Sequence, residues 1–349
     1  MVAPYLDLVD LSADDFTSIL RANINDYTID DKNKALHIAI RKECKDAVSL
    51  LLEKGADPTA NITWFSDQLG LNCTSTALHR AVESQNIDIV SMILDAGVNL
   101  EFGRVDISGS FKPREDPETP LQAACKGVGI FDPRYGHPNM SIIKMLVERG
   151  ADVNALPSKS SLTPLMIAVS HSNRELITYL LKAGADVNKV GAKPVRSEPG
   201  QTALTRALYK NQNPEDNDIK IQVLEAGADP NFREALVGVS KGGEDENVEI
   251  LLRYGADRNI KCRWTGRTAL ESVKHLLDHE KRWGQTAGRE PGPYRKSLKI
   301  IAKMLGDEFE YPSSDNEKDG SITYVEAVRR QREKERKRLE RLEKKRKRD

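Results

Sequence analysis

At 349 residues, 39% hydrophobic and 30% charged, the chain has apolar content for a sizeable core under a heavily charged surface, enough for two ordinary domains or one elongated repeat array. The formal net charge of zero conceals a division: residues 329–349 hold thirteen Lys/Arg against five Asp/Glu, so residues 1–328 carry a net minus eight, and body and tail read as having separate jobs. Scattered cysteines (Cys44, Cys73, Cys125, Cys262) without a C-x-x-C pair argue against a disulfide framework or zinc site, and no stretch approaches the length of a membrane span.

The opening MVAPYLDLVDLSADD lacks a basic n-region and a long apolar run, so no secretory leader is expected and a reducing, intracellular setting follows. FTSILRANIN (16–25) then reads as a worn half-repeat, within a capping segment 1–32. From residue 33 two phrases alternate. One is KALHIAI (34–40), TALHRAV (76–82), TPLQAAC (119–125), TPLMIAV (163–169), TALTRAL (202–208), a weak EALVGVS (234–240) and TALESVK (268–274). The other is LLEKGADP (51–58), LDAGVNL (94–100), LVERGADVN (146–154), LLKAGADVN (180–188), LEAGADPN (224–231) and LLRYGADRN (251–259).

Lys34 to Gly55, Thr76 to Gly97, Thr163 to Gly184 and Glu234 to Gly255 are all 21 positions. The residue types give this unit a structure. Thr is a good N-cap and Pro fits the first helical turn, where its missing N–H has no partner to lose. Apolar residues at helical spacing lead to a glycine that supplies the left-handed conformation ending a helix. One such helix pair cannot bury its own faces, so neighbours must stack. LKIIAKML (298–305) reads as the closing helix.

Together these features resemble the ankyrin repeat, with its T-P-L-H-x-A phrase and closing G-A-D. The resemblance covers about residues 33–306. It implies an all-α repeat solenoid of six to seven stacked helix-turn-helix units, each ending in a β-hairpin finger, with inner helices and fingers forming a concave face. It also implies a structural, hydrogen-bonding role for His37 and His79.

The copies differ in their connections. From closing glycine to next Thr, 13 residues separate Gly150 from Thr163 and Gly255 from Thr268. Gly55 to Thr76 is 21 and Gly97 to Thr119 is 22, so two consecutive fingers are enlarged, and Gly227 to Glu234 is only 7. Loop insertions KGVGIFDPRYGHPN and DHEKRWGQTAGREPGPYRKS lie inside two units. The first enlarged finger carries Trp64 and Phe65, the second Phe102 and Phe111. In a chain only 5% aromatic, Trp64, Phe65 and Phe111 are candidate anchors for a protein partner; the alternative is that such rings seal their own loops. The unit at 234–255, with Gly238, Gly242 and Gly243 where helix formers belong, is expected to be the weak joint.

Beyond Leu305 the composition changes. Residues 307–322 form an acidic linker and 323–349 a charged helical tail, with Thr323 and Glu326 at capping-box spacing and several Glu-to-Lys/Arg i,i+4 pairs. Its apolar residues are too few for a convincing coiled coil. Lys344, Lys345, Arg346, Lys347 and Arg348 look like a nuclear-localisation signal for an import receptor; binding of nucleic-acid phosphates by the same tail is the alternative. His275 and His279 stand at i and i+4 without the glutamate a zinc protease needs, and no P-loop, Rossmann or nucleophile-elbow motif is present. The reading is a monomeric, non-enzymatic interaction scaffold of nucleus or cytoplasm, without cofactor or metal, binding protein partners and no membrane; the alternative is a nucleic-acid-associated regulator acting through its tail.

Overall fold

The computed structural model describes residues 11–66, 71–101, 105–107, 118–127, 138–157, 162–191, 200–209, 214–284 and 293–306, with backbone alone at 64–66, 71–74, 105–107, 214–216, 280–284, 293 and 295. They fall into two compact units, divided in the sequence after Ala228.

In the first unit α1 (Ala13–Asn23) precedes five helix pairs: α2 (Ile29–Arg41) with α3 (Lys45–Glu53), α4 (Ala77–Ser84) with α5 (Ile87–Asp95), α6 (Pro120–Lys126) with α7 (Met140–Glu148), α8 (Pro164–Ser170) with α9 (Arg174–Lys182), and α10 (Ala203–Tyr209) with α11 (Pro214–Glu225). The first helices pack on one another in chain order, α2 on α4, α4 on α6, α6 on α8 and α8 on α10, and α1, α3, α5 and α7 make a second row behind them.

The first phrase explains the inner row. Its leucine (Leu36, Leu78, Leu121, Leu165, Leu204) is at most 1% exposed in these five copies, each burial contributing about 1.5–3 kcal/mol. Its alanine (Ala39, Ala81, Ala124, Ala168, Ala207) is equally buried, and a methyl group there lets adjacent helices approach closely. Thr76, Thr119 and Thr163 cap α4, α6 and α8 by accepting a backbone N–H three residues on, and Pro120 and Pro164 occupy the first turn. In α2 the threonine position is Lys34, and the helix starts earlier, capped reciprocally by Thr28 and Asp31.

The second phrase explains how the outer helices stop. At the end of α9, Gly184 donates to the Leu181 carbonyl at 3.2 Å and Ala185 to Leu180 at 2.9 Å, the paired bonds that satisfy the last carbonyls of a helix around a left-handed residue. Gly184 has φ +92°, and open space surrounds its missing Cβ, so backbone conformation alone requires glycine there. The Ala-to-Leu bond recurs from Ala56 to Leu51, Ala151 to Leu146 and Ala228 to Val223. Thus L-x-x-x-G-A is the record of one helix ending.

The enlarged fingers do more than form separate hairpins. β1 (Ile62–Ser66) pairs antiparallel with β2 (Leu71–Ser75), and β3 (Val105–Ile107) from the next finger pairs antiparallel with β2. Two successive fingers therefore share one three-stranded sheet, ordered β1-β2-β3.

In the second unit α12 (Ala235–Gly242) packs on α13 (Asp245–Arg253) and α14 (Ala269–Gly284), and α15 (Pro293–Leu305) packs on α14 and α13. Two expectations change here. Of the three glycines of the expected weak joint, only Gly238 lies inside a helix; Gly242 ends α12, and Gly243 takes φ +73° as its C-cap, so glycine is favoured at 243. What the unit lacks is found at its helix starts instead. Glu234, itself left-handed at φ +51°, and Glu244 precede α12 and α13 without any side-chain cap bond. The second change is that the insertion beginning DHEKRWG does not start as a loop: its first seven residues continue α14 to Gly284, as expected of a run free of proline with its only glycine at the end.

Candidate interaction surface

The fourth position of the first phrase sits where each inner helix begins, and its chemistry is structural. His79 Nδ1 lies 2.8 Å from Thr76 Oγ1, and Nε2 lies 2.8 Å from the Glu118 carbonyl, just before the next inner helix. Gln122 does the same work in the next unit: its Nε2 donates to the Leu162 and Ala155 carbonyls at 2.8 and 3.1 Å. His37 is the exception. With Lys34 in place of threonine, its buried Nδ1 has no hydrogen-bond partner; burial, then the neighbouring Arg80 and His79, lowers its pKa to about 3. A histidine so placed is neutral at physiological pH.

The finger bases are joined by a ladder that sequence spacing did not reveal. Asn154, last residue of its phrase, accepts from the Asp186 N–H at 2.7 Å and donates to the Gly184 carbonyl at 3.1 Å. Asn188 donates to the Gly227 carbonyl at 2.9 Å. At the start of the array Asn33, on α2 and not in a closing phrase, accepts from Asp57 N–H at 2.6 Å, and in the second unit Asn231 accepts from Asp257 N–H at 2.7 Å. Each phrase aspartate folds its own turn: Asp152 and Asp186 accept from the N–H two residues on, at 2.8 and 2.9 Å. So the closing N of G-A-D-x-N fastens one finger to the next.

The enlarged second finger makes its rung from other residues. Asn99 replaces the aspartate, accepting from Glu101 N–H at 2.8 Å, and Glu101 replaces the asparagine, accepting from Asp152 N–H at 2.7 Å. Burial raises the Glu101 pKa, the hydrogen bond from Asp152 opposes this, and the charge of Asp152 adds to it.

Above these rungs stands the joined sheet. Ile62 and Ser75, opposite one another at its base, are buried at 8% and 1% exposure. Trp64 pairs across to Cys73, and Phe65 to Asn72. As consecutive positions of one strand they belong to opposite faces of the sheet, so two anchors presented together on one face are not what the register provides. Phe102, Phe111 and the basic run Lys344, Lys345, Arg346, Lys347 and Arg348 lie outside the described residues. His275 and His279 are exposed on α14. Among the described residues, no helix is long and apolar enough to cross a membrane.

One exposed aromatic escaped the reading of the sequence. Trp264 is 83% exposed at the tip of the turn preceding α14. The signal was the run RNIKCRWTGR, with four basic residues, no acidic ones and a tryptophan; the ordinary length of that connection drew no attention to it.

Stacked helix pairs, left-handed glycines at the outer-helix ends and fingers tied by an asparagine ladder define a repeat protein. The family model "Ankyrin repeats (3 copies)" matches residues 12–104, 102–191 and 135–234, together more than half of the chain, and the chain belongs to the ankyrin-repeat family. The B-cell lymphoma 3 protein homolog of Mus musculus is 31% identical over 136 residues, which are 39% of this chain and 24% of that protein. The ankyrin repeat protein FPV031 of fowlpox virus (strain NVSL) is 33% identical over 146 residues, 41% of this chain and 35% of that one. The chain thus matches about a quarter and a third of these relatives' lengths. Among solved structures, the ankyrin repeat domain of Bcl-3, described as a unique member of the IkappaB protein family, superposes with a TM-score of 0.50 at 22% identity, covering 76% of this chain and 96% of that domain; the likeness is one of fold. Ankyrin repeats are generic protein–protein interaction modules, and that is the coarse function of these.

Proposed function

We propose that the protein is a non-enzymatic interaction scaffold or adaptor, monomeric and intracellular, that binds a protein partner through the enlarged fingers at 59–75 and 101–117. The observation that carries this reading is the joined sheet β1-β2-β3: two consecutive fingers are lengthened and paired with each other, whereas fingers serving only to connect helices need 13 residues. Trp64, Phe65 and Phe111 are its candidate anchors, Trp64 and Phe65 at positions of opposite faces. The test is substitution one at a time. Trp64→Ala or Phe65→Ala, whichever faces the partner, should raise Kd about 30-fold, the ~2 kcal/mol of a hot spot, with little change in Tm. Equal loss of Tm in both variants assigns the rings to the protein's own packing and removes the claim.

The surplus of eight positive charges at 329–349 supports a second role for the tail. We read Lys344–Arg348 as an import signal taken by an import receptor, for a protein of nucleus or cytoplasm. Deleting residues 340–349 should move a fluorescent fusion out of the nucleus. If the tail instead binds nucleic acid, affinity for RNA or DNA falls steeply with salt and vanishes on deletion of 329–349, while binding to the finger partner persists.

A further inference from the structure

The turn that carries Trp264 is a built platform in the second unit. Cys262 N–H donates to the Arg267 carbonyl at 2.8 Å, Gly266 N–H donates back to the Cys262 carbonyl at 2.7 Å, and Gly266 takes φ +65°. Asn231 fastens its base through Asp257 N–H, and Arg263 Nε donates to Glu234 at 3.3 Å, just before α12. Around the tip stand Arg258, Lys261, Arg263 and Arg267, in a chain whose first 328 residues carry a net charge of minus eight; Glu234 pairs with Arg263 and Glu271 lies in the field of Lys261 and Arg267, which leaves the tip a basic surplus. A tryptophan 83% exposed in a basic rim has the composition of an interaction hot spot, where Trp and Arg are enriched.

The chain itself supplies a complement. Residues 307–319, DEFEYPSSDNEKD, follow α15 directly and hold six Asp/Glu against one Lys, with Phe309 and Tyr311 among them. Their starting point lies within reach. Tyr294, at the start of α15, donates through its hydroxyl to the Lys241 carbonyl at the end of α12 at 2.7 Å, while the fingertip is tied to Glu234 at the start of α12. The 13 residues of α15 span about 20 Å, whereas 13 extended residues span about 43 Å. Over that span the later carboxylates, Asp315, Glu317 and Asp319, have the length to reach the fingertip. Tethering at this length gives an effective concentration on the order of millimolar, enough for a weak charge-driven contact to be populated.

We propose that the acidic segment 307–319 docks on the basic fingertip 258–267, its later carboxylates (Asp315, Glu317, Asp319) against Lys261 and Arg267 and its chain across the exposed Trp264. The surface is then self-occupied, and any external acidic partner must displace the segment. This stands apart from the partner surface proposed for the first unit and survives its failure.

Zero-length carbodiimide cross-linking of the full chain tests it, with equal parts natural-abundance and ¹⁵N-labelled protein so that links within one molecule are told from links between two. The expected product joins Lys261 to Asp315, Glu317 or Asp319 within one isotope class. Its yield should fall about tenfold in Trp264→Ala combined with Arg267→Glu, which leave Lys261 in place; unchanged helical circular dichroism verifies folding. The proposal is overturned if the acidic segment links instead to tail lysines such as Lys334, Lys337 or Lys344, if the Lys261 links are between molecules, or if the double variant leaves their yield unchanged.

Discussion

The rung at Asn154 offers the sharpest test of how the repeats are joined. Asn154→Ala removes two hydrogen bonds at once, the acceptor 2.7 Å from Asp186 N–H and the donor 3.1 Å from the Gly184 carbonyl. An ordinary hydrogen bond contributes about 0.5–1.5 kcal/mol net. Both bonds lie at exposed sites where water can replace the lost partner, so the lower half of that range applies to each and the expected loss is about 1–2 kcal/mol. Asn154→Asp separates the two bonds: it keeps an acceptor for the N–H but turns a carboxylate toward the Gly184 carbonyl with no proton to donate. It should cost at least as much as alanine at pH 7 and recover part of the loss in acid. Urea unfolding followed by circular dichroism reads the midpoint and slope. Because repeats contact only their neighbours, a weakened joint should also lower the apparent slope as cooperativity falls. A change below about 0.3 kcal/mol for alanine, or an aspartate variant as stable as the parent, would refute the view that this ladder couples the fingers.

Four further outcomes are expected. Gly184→Ala, at φ +92° with open space around its Cβ, should lose about 1–2 kcal/mol from left-handed backbone strain alone, seen as a lower Tm; an unchanged Tm would mean the chain relaxes there freely. Among the cysteines, Cys44 and Cys262 are equally buried at 8% exposure and Cys125 is fully buried, but hydrogen bonds from the Thr265 side chain and the Trp264 backbone lower the Cys262 pKa while burial raises those of Cys44 and Cys125; iodoacetamide at pH 7.5, read by peptide mass spectrometry, should therefore alkylate Cys262 before Cys44 and leave Cys125 until unfolding, and equal rates at Cys44 and Cys262 would contradict it. Glu101 holds its proton more tightly folded than unfolded, so its contribution to stability grows as pH falls through the raised folded value toward the ordinary 4.5 and is lost as pH rises; Glu101→Gln should raise Tm at pH 7 with the advantage shrinking in acid, and a pH-independent difference would sink the assignment. The uncapped starts of α12 and α13, each short of a bond worth about 1 kcal/mol, should make residues 235–250 exchange amide hydrogens faster than 164–182; equal protection would remove the weak joint.

The sequence carried the fold where one residue type has one physical job. Thr163 caps, Pro164 fits the first turn, Leu165 and Ala168 pack, and Gly184 turns left-handed; each is a local requirement, and their repetition at fixed spacing identified the unit. What escaped depends on residues far apart in the chain. The pairing of β3 with β2 needs two fingers to be lengthened together, and length alone does not say that the second lies on the first. The rung from Glu101 to Asp152 spans 51 positions and uses a glutamate where the other rungs use asparagine, so no shared letter marks it. His37 is orphaned because of Lys34, a substitution whose effect is visible only once α2 is seen to begin at Ile29. Trp264 was overlooked for the opposite reason: its connection has ordinary length, and exposure is not written in spacing. The candidate aromatic anchors were chosen by rarity, which says nothing of strand alternation, the property that divides Trp64 from Phe65.

The central claim is that the enlarged, joined fingers are a binding surface for a protein. The most direct measurement is quantitative affinity capture by the full chain beside two variants, Trp64→Ala with Phe111→Ala and Phe65→Ala with Phe111→Ala, each first matched to the parent in Tm. The account predicts a protein held in constant proportion to the parent chain, with at least tenfold lower recovery on one variant or the other, and the same partner binding purified parent chain directly. Recovery equal on all three chains, or recovery abolished only by removing residues 329–349, would contradict it.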